Sequence, residues 1–171
     1  MWTLLFVTVA PAAFAIGPEA SDAGWTGSWT LSDAPTVVQQ RVEAAVDAAL
    51  AGFASPIRFI ARPRLVAAST FCTQYRTERT ATTWTIQCDS TASVTVTFGQ
   101  PPAPGVAADG RPYAVSVRRD GDRLELEFRG EEGWQRTRYQ PGADGCLNVE
   151  KTLHSTRLGT DVTWTMAYTR G

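Results

Sequence analysis

From Ser69 to Arg170 the chain alternates apolar and polar residues, and turn formers break the pattern at short intervals. A period of two sends successive side chains to opposite faces of a strand. The runs are 69–77, 83–88, 93–98, 113–119, 123–129, 134–140, 146–155 and 162–170. Between them stand Asp120-Gly121-Asp122, Gly130 to Gly133, Pro141 to Gly145 and Gly159-Thr160-Asp161, with a Pro/Gly/Ala loop from Gly99 to Gly110. Consecutive strands joined by short turns make an antiparallel meander.

A further strand, 25–31, precedes a change of period. Val38, Val42, Val46, Leu50 and Phe53 recur at spacings of four and three, which predicts a helix with one apolar stripe. Asp33 or Thr36 can cap its start, and Gly52 fits its end. Ser55-Pro56 opens a second, short helix that should stop at Arg62, before Pro63. The fold class is therefore mainly β: an antiparallel up-and-down barrel of about nine strands with a helix-turn-helix after strand one, closure removing exposed strand edges.

Sorting by alternation puts Trp29, Tyr75, Trp84, Ile86, Val96, Val115, Leu126, Val149, Trp164, Met166 and Tyr168 on one face. Thr, Ser, Arg, Glu and Gln dominate the other. Apolar-in and polar-out is the reverse of a membrane barrel. With 43% apolar and 19% charged residues the chain is globular, and a net charge of −1 with no basic stripe argues against a nucleic-acid partner.

The stretch MWTLLFVTVAPAAFA ends in Ala13-Phe14-Ala15, a small-x-small pattern that predicts a signal peptide over 1–15, a linker over 16–24 and a barrel domain over 25–171. The apolar run is too short to span a membrane. Export to the periplasm or the extracellular space is expected, as a monomer, and it allows disulfides. Of three cysteines, Cys72 and Cys88 sit on adjacent strands and make the best pair, though their parities differ unless a bulge intervenes. Cys146 is then left free or pairs elsewhere. No zinc spacing is present, and no cofactor is expected.

The pattern resembles the calycin superfamily, meaning the lipocalins and above all the fatty-acid-binding proteins. Gly27-Ser28-Trp29 supplies a G-x-W on the first strand, a helix pair follows it directly, and the last strand carries Arg170. The resemblance implies that Arg170 stacks over Trp29 and closes the barrel base, a cation-π contact of about 1 kcal/mol. Many fatty-acid-binding proteins hold a carboxylate with Arg-x-Tyr on the last strand. Here the order is Tyr168-Thr169-Arg170, so that site does not transfer. The final segment alternates as a strand, unlike the helix that lipocalins place beside the barrel or that a helix-grip enzyme needs. The likeness is architectural, and fold alone does not assign function.

Lys151 falls between Val149 and Leu153 on the apolar face. Either it meets an anionic head group, or it snorkels to water at the mouth. Arg119 continues the inward face of Tyr113, Val115 and Val117 and poses the same choice against a solvated strand end. Tyr75, Tyr113, Tyr168, Trp84 and Trp164 have apolar bodies with polar tips, suited either to an apolar pocket with few orienting groups or to a filled core. His154 lies on the polar face without an evident buried carboxylate partner, and Glu125 and Glu127 read as solvated outer residues. No catalytic constellation results, so no enzyme is expected. The expected function is lipid binding in the broad sense: carriage of a small apolar or amphipathic molecule inside an exported barrel. The alternative is a non-enzymatic surface or interaction module with a filled core, acting through the loop from Gly99 to Gly110.

Overall fold

The computed structural model describes residues 24–107, 110–142 and 144–171. The expected signal peptide and all but the last residue of the expected linker lie outside the described residues. Strand β1 (Gly27–Leu31) leads into helices α1 (Pro35–Leu50) and α2 (Ser55–Ala68). The rest is β2 (Gln74–Arg79), β3 (Thr83–Cys88), β4 (Val94–Thr97), β5 (Ala103–Val106), β6 (Pro112–Asp120), β7 (Arg123–Gly130), β8 (Gly133–Pro141), β9 (Leu147–Ser155) and β10 (Thr160–Arg170). All ten strands form one antiparallel sheet in the order β4-β3-β2-β1-β10-β9-β8-β7-β6-β5. The sheet curls into a nearly closed barrel, with β4 approaching β6 across the gap. Among the described residues no helix is long and apolar enough to cross a membrane.

Ten strands stand where about nine were expected, because Ala103–Val106 pairs with β6 inside the stretch read as a loop. Its Ala-Pro-Gly-Val sequence has no period of its own, and its partner supplies the pairing. Helix α2 also departs from expectation. It runs through Pro63 to Ala68. Proline deprives the Phe59 carbonyl of its donor, but Phe59 is 84% exposed, so water can satisfy that oxygen. Ala61 and Leu65, one turn apart and both buried, keep the helix seated across the break. At the start of α1, neither Asp33 nor Thr36 caps the helix: Pro35 opens it without a side-chain cap, and Asp33 instead pairs with Arg41 at 3.0 Å.

The buried stripe of α1 is Val38, Val42, Val46 and Leu50, each contributing on the order of 2 kcal/mol by burial. The helix is fastened to β10, with Arg41 donating to the Thr165 carbonyl at 2.7 Å and the Thr160 hydroxyl donating to that of Ala49 at 3.2 Å. Arg62 of α2 bonds Asp47 of α1 at 2.7 Å, which lowers the Asp47 carboxyl and raises the Arg62 guanidinium from their ordinary values. The helices thus lie over the barrel end where β1 finishes, the helix end. The opposite, closed end carries Trp25, Trp29, Trp84, Leu124 and Tyr139, all buried. There Trp29 Nε1 donates to Thr77 Oγ1 at 2.9 Å, and that hydroxyl donates to the Trp25 carbonyl at 2.6 Å. Arg170 faces Trp29 in register and lies 5.4 Å from its ring centre, as the G-x-W resemblance implies. A side chain at Gly27 would press on that guanidinium, its Cβ 3.1 Å from Arg170 Nε, so glycine makes room for the stack.

Cys72 and Cys88 form a disulfide. No bulge is needed to reconcile their faces, because Cys72 precedes β2 in an irregular connector that can turn its sulfur to β3. Cys146 is a free thiol.

Candidate functional site

Where α2 crosses the helix end, it leaves a groove of about 580 Å³ between itself and the rim of β7, β8 and β9. Ile57, Ile60, Ala61 and Leu65 form one wall, and Phe128, Leu153 and Leu158 face them. A volume in this range suits a small organic ligand, typically ~300–1,000 Å³. Arg64, Arg111 and Arg157 stand at the edge with Glu132. Glu132 engages both Arg111, at 2.6 Å, and Arg157. Arg64 makes no ion pair or hydrogen bond among the described residues, so it is the cation of this rim left to meet an outside anion.

Trp134 and His154 close the outer lip of the groove. They are opposite residues on β8 and β9, stacked with ring centres 5.2 Å apart and planes 10° from parallel. Asp161, opposite His154 on β10, bonds its Nδ1 at 2.6 Å. His154 therefore does have a carboxylate partner, supplied by the strand register, but Asp161 is largely exposed, not buried. Arg136 covers the other side of Trp134 at 4.4 Å.

The residues singled out from sequence occupy different places. Tyr75 and Tyr168 are buried with ring centres 4.9 Å apart, and Trp84 meets Tyr139 edge-on at 4.8 Å. Burial raises all three tyrosine hydroxyls, Tyr75, Tyr139 and Tyr168, above their ordinary value. Trp164 is buried opposite Lys151. Tyr113 packs edge-on to Phe128 at 5.6 Å, beside the groove. Arg119 is exposed at the closed end, bonded to the Gly121 carbonyl of its own turn at 3.0 Å. None of these seven residues lines the groove.

Lys151 does not snorkel. It is only 5% exposed and its ammonium donates to the Thr70 carbonyl at 3.0 Å. Burial pulls it down to about 8, partly offset by the Asp89 carboxylate. Glu125 and Glu127 are not freely solvated either. Strand pairing aligns Arg118, Glu125, Arg138 and Glu150 across four strands, and each neighbouring pair bonds at 3.0 Å or less. Burial pushes the Glu127 carboxyl up, but hydrogen bonds from Arg136 and Arg129 outweigh that and hold it below its ordinary value.

The helix expected up to Arg62 already held Ile57, Ile60 and Ala61, but stopping it before Pro63 left out Arg64, Leu65 and Ala68, which complete this side of the groove. The spacing Ile57, Ile60, Ala61, Leu65 carried the signal, a helical stripe continuing past the proline.

No family model matches the chain, and no curated protein matches it. Solved structures do. A structure titled REP1-NXSQ fatty acid transporter superposes with a TM-score of 0.54 at 17% identity, over 85% of this chain and 95% of that one. A Schistosoma mansoni fatty acid binding protein in complex with arachidonic acid gives 0.53 at 17% identity, over 88% and 98%. A heat soluble (SAHS) protein from Ramazzottius varieornatus gives 0.51 at 13% identity, over 86% and 96%. At these identities the likeness establishes a calycin-like barrel fold and nothing finer.

Proposed function

We propose that this calycin-like barrel binds a small amphipathic molecule without acting on it. Its apolar body lies in the groove between α2 and the β7–β9 rim, and its anionic head group meets Arg64. The carrying observation is the groove itself: about 580 Å³, walled by Ile57, Ile60, Leu65, Phe128 and Leu153, with one uncommitted cation at the edge. Burial of a tail against these side chains supplies about 25 cal/mol per Å² of apolar surface. The disulfide fits an oxidising compartment, which supports export. That solved barrels of this fold carry titles naming fatty acids adds to the reading without identifying the ligand here.

Native mass spectrometry of the purified protein, followed by titration with a dansyl-labelled long-chain fatty acid, tests this. Saturable binding is expected. Leu153→Trp, which fills the groove, should weaken it at least about ten-fold, since several apolar contacts are lost. Undiminished binding in Leu153→Trp would contradict the groove, and no binding at all would favour the second reading. That reading, an interaction module, draws support from the buried aromatic cluster of the closed end and from Val106, 69% exposed.

A further inference from the structure

The connector 69–73, between α2 and β2, turns its backbone into the barrel. Ser69 and Cys72 are both 2% exposed. Two inward donors hold its carbonyls: Lys151 Nζ donates to Thr70 at 3.0 Å, and the Tyr168 hydroxyl donates to Cys72 at 2.9 Å. At its far end Asp89 Oδ1 accepts from the backbone N–H of Thr73 at 2.9 Å and of Gln74 at 2.8 Å. The Cys72–Cys88 disulfide fastens it covalently to β3.

Some donors around it find no acceptor. An ammonium has three N–H groups, and a single hydrogen bond engages Lys151. Trp164, directly opposite Lys151 across the β9–β10 ladder, has a buried Nε1 with no partner. Ser69, the neighbour of Thr70, has a buried Oγ with none. The ammonium bonds one neutral carbonyl, and the Asp89 carboxylate that offsets its charge is engaged by the Thr73 and Gln74 N–H groups instead of by Lys151. A carboxylate has two acceptor oxygens and a negative charge, so it matches this set better than the carbonyl now present.

We propose that connector 69–73 is a built-in occupant of an anion site centred on Lys151, and that opening the Cys72–Cys88 disulfide lets the carboxylate of the amphipathic ligand displace it. This deepens the groove reading and rests on it: the tail keeps its place and the head group turns inward from Arg64 to Lys151. The opening step needs a dithiol. Its thiolate attacks Cys88 Sγ, the more exposed of the two sulfurs, and Cys72 leaves as a thiolate that takes up a proton. The second thiol of the reagent then displaces Cys88, so the protein gains two thiols and the reagent becomes a disulfide.

The test uses two probes, a dansyl-labelled long-chain fatty acid and the matching alcohol, on the oxidised protein, the dithiol-reduced protein and Cys72→Ser/Cys88→Ser. Opening the disulfide should tighten the acid at least about ten-fold, the scale of a charge-assisted hydrogen bond, and leave the alcohol within about two-fold. Lys151→Met should lose that gain. Hydrogen exchange should show the 69–73 amides released while β6–β10 stay protected. An equal change for both probes, no change, or a gain that survives in Lys151→Met overturns the proposal and leaves the groove reading standing. Loss of protection across the whole sheet on reduction also overturns it, because the disulfide would then be a staple of the fold. Failure of either probe to bind any form overturns both readings.

Discussion

At the closed end, Trp84 meets Trp25 and Tyr139 edge to face, and Trp29 is buried in the same cluster. At the helix end, Ile57 and Ile60 stand about half in water along a groove. Both ends draw on the same alternating strands. The difference lies in what arrives from outside the ladder. The closed end receives Trp25 and the Arg170 stack, which complete a packed plug. The helix end receives α2, whose Ile57, Ile60, Ala61 and Leu65 border a groove shared with the rim. A barrel can concentrate its stability at one end and keep the other adaptable, because close packing and a ligand-sized void exclude each other locally.

Breaking the plug should have the largest effect. Trp84→Ala, at a site with no exposure, should destabilise the fold by about 3–5 kcal/mol in urea unfolding. A loss under about 1 kcal/mol would mean that the closed end is not where stability resides.

Between the two ends sits Lys151, and it should give a pH signature. Its folded value of about 8 lies below the ordinary 10.5, so between those values the unfolded chain holds more protons. The penalty is full at pH 7 and is relieved as pH rises through about 8. Stability should therefore increase toward pH 10, by up to about 3 kcal/mol. The raised tyrosines act the other way once unfolded tyrosines ionise, so the informative window is about pH 7.5 to 9.5. Lys151→Met should flatten the rise in that window. A persisting slope would assign it to another group.

The smallest effect belongs to the outer face of α2, away from the groove. Phe59→Ser should change stability by no more than about 0.5 kcal/mol, as befits a side chain 84% exposed. A larger loss would mean that α2 is held by more than Ala61, Leu65 and the Arg62 bonds.

Much of this architecture was legible from residue order. Strand β10 and the first half of β9 show most clearly because alternation and burial coincide there, and Gly or Asp marks the turns that separate β6 to β10. The α1 stripe shows because Val38, Val42, Val46 and Leu50 all bury on one side. Cys72 with Cys88 follows from strand adjacency, and Trp29 against Arg170 from the resemblance carried by Gly27-Ser28-Trp29. What stayed hidden depends on partners distant in sequence. Strand β5 exists because β6 pairs with it, α2 continues past Pro63 because its seat outweighs one lost hydrogen bond, and Arg118 to Glu150 become a ladder only once the register is known. The candidate site was the least legible part. Alternation assigns Tyr75, Trp84, Tyr168 and Lys151 to the interior but not the volume left there, and the groove opened elsewhere, at the rim.

The most direct measurement is photo-crosslinking with a diazirine-bearing long-chain fatty acid, followed by mapping of the adducts by mass spectrometry. Adducts concentrated on α2 and on Phe128, Leu153 and Leu158 are the result expected here. Adducts on Trp29 and Trp84 at the closed end, or spread evenly over the surface, would contradict a ligand site between α2 and the barrel rim.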